Sequence, residues 1–200
     1  MKKIILAVSL VSLAAALPAL AGDAAVGKAK SATCAACHGP DGNSPSPGFP
    51  KLAGQHEGYI AKQLRDYKSG KRVNATMNAM VLPLSEQDMD DLAAYFASQT
   101  VQLGTTAEDK LAVGQSIYRA GNASSGVAAC AACHGPNGSG NPQAKFPSLS
   151  GQHADYTVLQ LQMFRKGERA NDAGNMMRGV AAKMSDAEIE AVAQYVQGLH

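Results

Sequence analysis

Cys34-Ala35-Ala36-Cys37-His38 recurs as Cys130-Ala131-Ala132-Cys133-His134, and the two boxes take all four cysteines of the chain. Two thiols one helical turn apart can each add to a vinyl group of one haem. The imidazole on the next residue is then brought beneath the macrocycle, where a ring nitrogen can bind iron. Other uses of C-x-x-C fit less well. A thioredoxin-like pair would follow a strand in a βαβ pattern, and no such pattern is present. A four-cysteine zinc site would set its knuckles ~15–20 residues apart, whereas these lie in opposite halves of the chain. A disulfide within a box explains neither the histidine nor the duplication. The chemistry indicated is covalent attachment of two haem c groups, with His38 and His134 each filling one axial position on iron.

What fills the other axial position decides between chemistry at an open iron and electron transfer through a closed one. The chain supplies Met and His candidates, and its internal repeat discriminates among them. Counting back from Leu84-Ser85 and Met184-Ser185, Met77 falls opposite Met177. Met80 faces Val180, Met176 faces Thr76, and Met89 faces Ile189, so these have no matched methionine. Met77 and Met177 also stand in polar stretches, Asn74 to Asn78 and Gly174 to Arg178, which we expect to be loops. Packing alone does not call for a methionine there. His56 and His153 are the rival matched pair, and bis-histidine ligation would give a lower potential. Both follow Gly-Gln at an expected helix start, a place for an exposed or hydrogen-bonding histidine. His200 is unpaired and receives no role.

The elements that must hold these residues repeat from end to end. Phe49-Pro-Lys-Leu-Ala-Gly-Gln-His56 matches Phe146-Pro-Ser-Leu-Ser-Gly-Gln-His153, Tyr59 matches Tyr156, Leu64 matches Leu161, and Gly70 matches Gly167. Further on, Ser85, Met89 and Tyr95 match Ser185, Ile189 and Tyr195. Two copies of this size, each with its own haem box, imply tandem domains from a duplication. Helices are expected over 23–32 and 107–120, with Thr105 or Thr106 as a start signal for the latter. Two more are expected over 56–69 and 153–166, stopped by Gly70 and Gly167. Ser85-Glu-Gln-Asp88 and Ser185-Asp-Ala-Glu188 read as capping boxes that open the last helix of each copy. Strand alternation is absent, so the fold class is all-α. The boundaries expected are residues 22–100 and 107–200 for the two domains, with a linker over 101–106. So short a linker should press the domains together and bring their haems close. Peptide cores with this much Gly- and Pro-rich loop are thin, and haem should complete them.

Residues 1–21 stand apart. Lys2 and Lys3, an apolar run from Ile4 to Leu17, and Ala19-Leu20-Ala21 compose a signal peptide with its cleavage site. The mature chain is then expected in the periplasm. Without Lys2 and Lys3 the 18 Lys and Arg become 16, equal to the 16 Asp and Glu. No basic stripe suits nucleic acid. Lys62, Arg65, Lys68, Lys71 and Arg72 precede acidic Glu86, Asp88, Asp90 and Asp91. They read first as solvated helix faces and second as a dipole for docking.

These motifs together resemble the cytochrome c4 family, dihaem periplasmic proteins built of two class I cytochrome c domains. The likeness covers the whole mature chain: paired CAACH boxes, Phe-Pro-x-Leu-x-Gly-Gln twice, Met177-Arg-Gly-Val180, and the Gln-Gly-Leu-His end. It implies that Pro50 and Pro147 accept, through their carbonyls, a hydrogen bond from each iron-bound imidazole. It also implies electron transfer toward a terminal oxidase, from a donor such as a quinol–cytochrome c reductase, with loose membrane association. Arg178 has no counterpart in the first copy, so a propionate contact there would belong to the second copy alone. No nucleophile or general-base constellation is visible, so the expectation is an electron carrier and not an enzyme. The rival readings are a dihaem peroxidase-like enzyme, which needs a displaceable ligand, and an electron-entry subunit of a larger oxidoreductase.

Overall fold

The computed structural model describes residues 21–200. The signal peptide read over residues 1–21 therefore lies, except for Ala21, outside the described residues. In the first half, α1 (Ala24–Lys30) and α2 (Ala32–His38) lead to the first box. They are followed by α3 (Glu57–Lys68), α4 (Ala75–Val81) and α5 (Glu86–Ala97). The second half repeats the series as α6 (Glu108–Ala120), α7 (Ala131–His134), α8 (Ala154–Lys166), α9 (Met176–Ala181) and α10 (Asp186–Gln197). A 3-10 turn, Ala173–Asn175, precedes α9. Among the described residues no strand forms, and two isolated bridges, Asn122 with Val127 and Asn141 with Phe146, are the nearest approach to one.

Local signals set these elements. Asp23 caps α1 by accepting from the amides of Ala25 and Val26. Ser85 and Ser185 open α5 and α10 with the expected reciprocal boxes: each hydroxyl accepts from the residue three on, whose carboxylate accepts from the serine amide. Gly167 ends α8 in the left-handed conformation, φ 76°. Three expectations are revised. The helix leading to the first box breaks at Ser31 into α1 and α2. The threonine start signal is not used: Ala107 stands at the head of α6 without a side-chain cap, and the Thr106 hydroxyl turns 3.4 Å to the Tyr195 carbonyl. Met77 and Met177 stand in short helices, α4 and α9, not in loops.

In each half the first helix crosses the last: α1 lies on α5, and α6 on α10. The crossings are close because glycine stands at each. A Cβ on Gly27 would fall 2.0 Å from the Asp91 carbonyl oxygen, and one on Gly114 would fall 2.3 Å from that of Ala191. Around the crossings lie two apolar cores, Ile60, Leu92, Tyr95 and Phe96 in one, Ile117, Tyr118, Ile189, Val192 and Val196 in the other. The matched tyrosines diverge in use. The Tyr95 hydroxyl donates to the Pro40 carbonyl at 2.7 Å, but in the second half the tie after the haem box goes one residue earlier, to the Gly135 carbonyl, and comes from Tyr118 on α6.

The basic and acidic runs of the first half meet through Arg65, and α1 adds Lys30 to the acidic side. Arg65 pairs with Glu86 and Asp90 at 2.6 and 2.8 Å, and Lys30 pairs with Asp88. Arg72 leaves that surface altogether and is buried. Among the described residues, no helix is long and apolar enough to cross a membrane.

Candidate haem sites and the surface between them

Each box ends a helix on its histidine. His38 closes α2 and His134 closes α7, both 6% exposed. The His38 Nδ1–H donates to the Pro50 carbonyl at 2.9 Å, and the His134 Nδ1–H donates to that of Pro147 at 2.9 Å. A carbonyl only accepts, so Nδ1 carries the proton and Nε2 keeps the lone pair. Burial holds both imidazoles below the usual histidine range, with the proline carbonyls pulling the other way. They are therefore neutral near pH 7, as an iron ligand must be. Aromatic rings from the same repeat segments stand beside them, Phe49 at 6.3 Å from His38 and Phe146 at 6.2 Å from His134.

No disulfide joins any of the four cysteines. Burial raises the Cys34 thiol, and raises that of Cys130 to about 11. Met77 on α4 and Met177 on α9 are half-buried, while the unmatched Met80 and Met176 are 41% and 44% exposed. The helices that carry them are secured differently. Asn74 accepts from the Met77 amide at 3.0 Å, whereas Asp172 takes the Arg178 amide at 3.0 Å and its Nε at 2.7 Å. Arg178 thus serves to fasten α9. Of the rival histidines, His153 sends Nε2 to the Ser44 carbonyl at 2.8 Å, in the other half. His56 stands at the head of α3 with a buried, unpartnered Nε2.

Between the halves lies a reciprocal set of polar contacts. Gln55 faces Ser148: its Oε1 accepts from the Ser148 amide at 2.9 Å and its Nε2 donates to the Ser148 carbonyl at 2.9 Å. Gln152 does the same to Lys51, at 2.9 and 3.0 Å. Deeper, Arg72 donates to Tyr156 (2.9 Å), Gln160 (2.8 Å) and Gln63 (2.8 Å). Arg169 donates to Tyr59 (2.9 Å), Gln160 (2.9 Å) and Gln63 (3.3 Å). Each guanidinium lies over an aromatic ring of its own half, Tyr67 at 4.7 Å and Phe164 at 4.5 Å. Burial pushes the Tyr67 hydroxyl up to about 12, so it stays protonated. Through these contacts the two halves pack directly against each other, as expected.

Arg72 and Arg169 are each 6% exposed, and among the described residues neither has a carboxylate within ion-pair distance. A buried cation surrounded only by neutral partners is costly. A haem brings two carboxylates. The residues present therefore fit the group: paired thiols, a neutral imidazole with a free lone pair, and buried guanidinium charge. From sequence alone the arginines and Gln63/Gln160 do not stand out as functional. The signal was there, since both pairs keep the same spacing as Tyr59 and Tyr156.

Comparison with known proteins agrees with this geometry. A family model for cytochrome c matches the chain twice, over residues 24–100 and 112–200. Cytochrome c4 of Pseudomonas aeruginosa is 50% identical over 181 residues, 90% of each chain. A thiosulfate dehydrogenase electron acceptor of Stutzerimonas stutzeri is 41% identical over 167 residues, 81% of this chain and 76% of its own. The crystal structure of reduced recombinant cytochrome c4 from Pseudomonas stutzeri matches with a TM-score of 0.88 at 50% identity, covering 90% of this chain and 100% of that one.

Proposed function

The chain belongs to the cytochrome c4 family, and on that premise we propose that it passes single electrons between periplasmic partners of a respiratory chain, toward a terminal oxidase. It is a dihaem electron-transfer protein of two cytochrome c domains, each with one covalent haem c. We take the domains as residues 22–100 and 107–200, joined by 101–106. Cys34, Cys37, Cys130 and Cys133 hold the haems through thioethers. His38 and Met77 ligate one iron, His134 and Met177 the other.

The observation that carries the reading is the pair of buried, neutral imidazoles whose Nδ1 is fixed to a proline carbonyl, leaving Nε2 for metal. Haem supplies the one-electron iron couple, and methionine ligation raises its potential. The chain's own task is to keep the ligands in place through the change of charge. Pro50 and Pro147 fix ring orientation, burial excludes water, and two short helices, α4 capped by Asn74 and α9 tied by the Asp172–Arg178 pair, present the methionines. The half-burial of Met77 and Met177, beside exposed Met80 and Met176, supports that choice of ligand. The relative that is a thiosulfate dehydrogenase electron acceptor supports a carrier role, with a dehydrogenase as one class of donor.

The test is an anaerobic redox titration of the holoprotein, followed by visible and near-infrared spectra. A carrier takes up two single electrons with both irons six-coordinate and low-spin throughout, and it binds no added carbon monoxide. Carbon monoxide binding at one haem, with turnover of peroxide, would instead establish the peroxidase-like enzyme.

A further inference from the structure

The peptide that orients each proximal histidine is held on its far side by the other domain. The Pro50–Lys51 peptide takes the His38 Nδ1–H on its carbonyl at 2.9 Å. Its amide, on Lys51, donates to Oε1 of Gln152 at 2.9 Å, while Gln152 Nε2 donates to the next carbonyl, that of Lys51, at 3.0 Å. The Pro147–Ser148 peptide is arranged the same way, between His134 at 2.9 Å and Gln55 Oε1 at 2.9 Å. Both glutamines are 8% exposed. Each is also pinned by its own chain, because the following amide, His56 or His153, donates to the same Oε1 at 3.0 Å. The side chains are therefore fixed acceptors at the heads of α3 and α8.

We infer that Gln152 and Gln55 are crossed positioning residues, each setting the reduction potential of the haem in the opposite domain. The inference rests on the histidine ligation proposed above. A peptide group whose N–H donates becomes a better acceptor at its carbonyl, since hydrogen bonds in series polarise one another, by about 10–30% per bond. A stronger carbonyl acceptor draws the Nδ1 proton and makes the imidazole a more basic ligand. A more basic ligand favours ferric iron. The series Gln152–Lys51–Pro50–His38 thus lowers the potential of the first haem, and Gln55–Ser148–Pro147–His134 that of the second. Separation of the domains would break both series at once and raise both potentials, so domain packing becomes part of the redox property.

The test is Gln152→Met and Gln55→Met in the full holoprotein, with each haem titrated separately through its own methyl resonances. Methionine keeps the length of the side chain and removes both hydrogen bonds to the opposite domain, along with the one from the following histidine amide. Gln152→Met should raise the potential of the His38 haem, by a shift of up to about tenfold in its reduction equilibrium, about 59 mV for one electron. The His134 haem should hardly move, and Gln55→Met should give the converse. Gln152→Asn and Gln55→Asn, which withdraw the amide by one methylene, give the same crossed pattern with smaller amplitude and serve where methionine prevents folding. A change confined to the mutated domain's own haem, an equal change at both, or none at all overturns the inference. His38→Ala separates the two levels: if that haem keeps its low-spin spectrum, histidine ligation itself is wrong and the inference falls with it. Loss of that spectrum with uncrossed potentials in the glutamine variants overturns the inference alone.

Discussion

Arg72 Nη2 lies 2.9 Å from the Tyr156 hydroxyl, and the same contact is made in the opposite sense by Arg169 and Tyr59, also at 2.9 Å. A buried arginine in each domain thus donates to a tyrosine of the other, and both also donate to Gln63 and Gln160. Lys62 adds a bond to the Asn171 carbonyl at 3.0 Å. The surface between the domains is polar, directional and closed on itself. Its register is fixed, since a slip would leave several buried donors unpaired at once.

Arg72→Leu should therefore destabilise the holoprotein by about 1–3 kcal/mol, because it strips the donor from buried Gln63 and from half-buried Tyr156 and Gln160. Denaturant unfolding followed at each haem separately should show both domains weakened, because the lost bonds cross between them. Arg72→Lys keeps the charge but not the planar fork, and should fall between. A loss felt only by the first domain would assign Arg72 to that domain's interior.

The repeat made much of this legible. The haem boxes, the capping serines and the Gln55/Gln152 match could be read directly, because each is a short pattern tied to a local structure. The buried arginines could not. Arg72 closes a run that begins at Lys62 and Arg65, and composition gives no sign that one member turns inward. Its partner Arg169 and the constant spacing of Gln63 with Gln160 held the missing signal. Met77 and Met177 read as loop residues in the sequence because helices of seven and six residues carry too little apolar periodicity to register. The tyrosines Tyr95 and Tyr195 match in sequence yet differ in use, since Tyr118 takes the carbonyl tie of the second domain. A pairwise match reports common ancestry of a position, and the contact is decided by what else has reached it.

Helix crossing gives a second prediction. Alanine at Gly27 or Gly114 would place a Cβ 2.0 or 2.3 Å from a backbone oxygen of the last helix, and backbone has little room to move. Each substitution should cost about 1–3 kcal/mol through separation of the helices. Gly58→Ala is the control on α3, where a Cβ meets nothing within 4 Å. That change should stabilise by up to about 1 kcal/mol through helix propensity. Thermal unfolding of the three variants checks the contrast in sign.

The Lys30–Asp88 pair sets a pH dependence. Hydrogen bonds from Lys30, and then from Ser85, hold the Asp88 carboxyl well below the usual aspartate range. A lowered native pKa adds stability above the unfolded value, about 3.9, and that stability is lost as pH falls through the native value. Asp88→Asn should therefore weaken the protein by a constant amount between pH 5 and 8. The difference from the unaltered protein should shrink only below about pH 4. Urea midpoints measured across that range give the answer, and a difference that grows on acidification would contradict the assignment.

The methionines give the decisive spectroscopic prediction. Each stands on a short helix whose start is fastened, Met77 by the Asn74 side chain and Met177 by the Asp172–Arg178 pair, so each sulfur is held by more than its own packing. If both ligate iron, the weak near-infrared absorption of ferric, methionine-ligated haem has two equal contributors. Met77→Ala and Met177→Ala should each remove half of it and lower the potential of their own haem far more than the other's. Met80→Ala and Met176→Ala, at exposed positions, should leave both band and potentials in place. His56→Ala should also leave the near-infrared band whole, although its buried Nε2 has no protein partner. Loss of the band in Met80→Ala or Met176→Ala would mean that the repeat pairs the wrong residues. Full retention in Met77→Ala, with loss of low-spin character in His56→Ala, would instead make the first domain bis-histidine, and its potential would then have to lie well below that of the second.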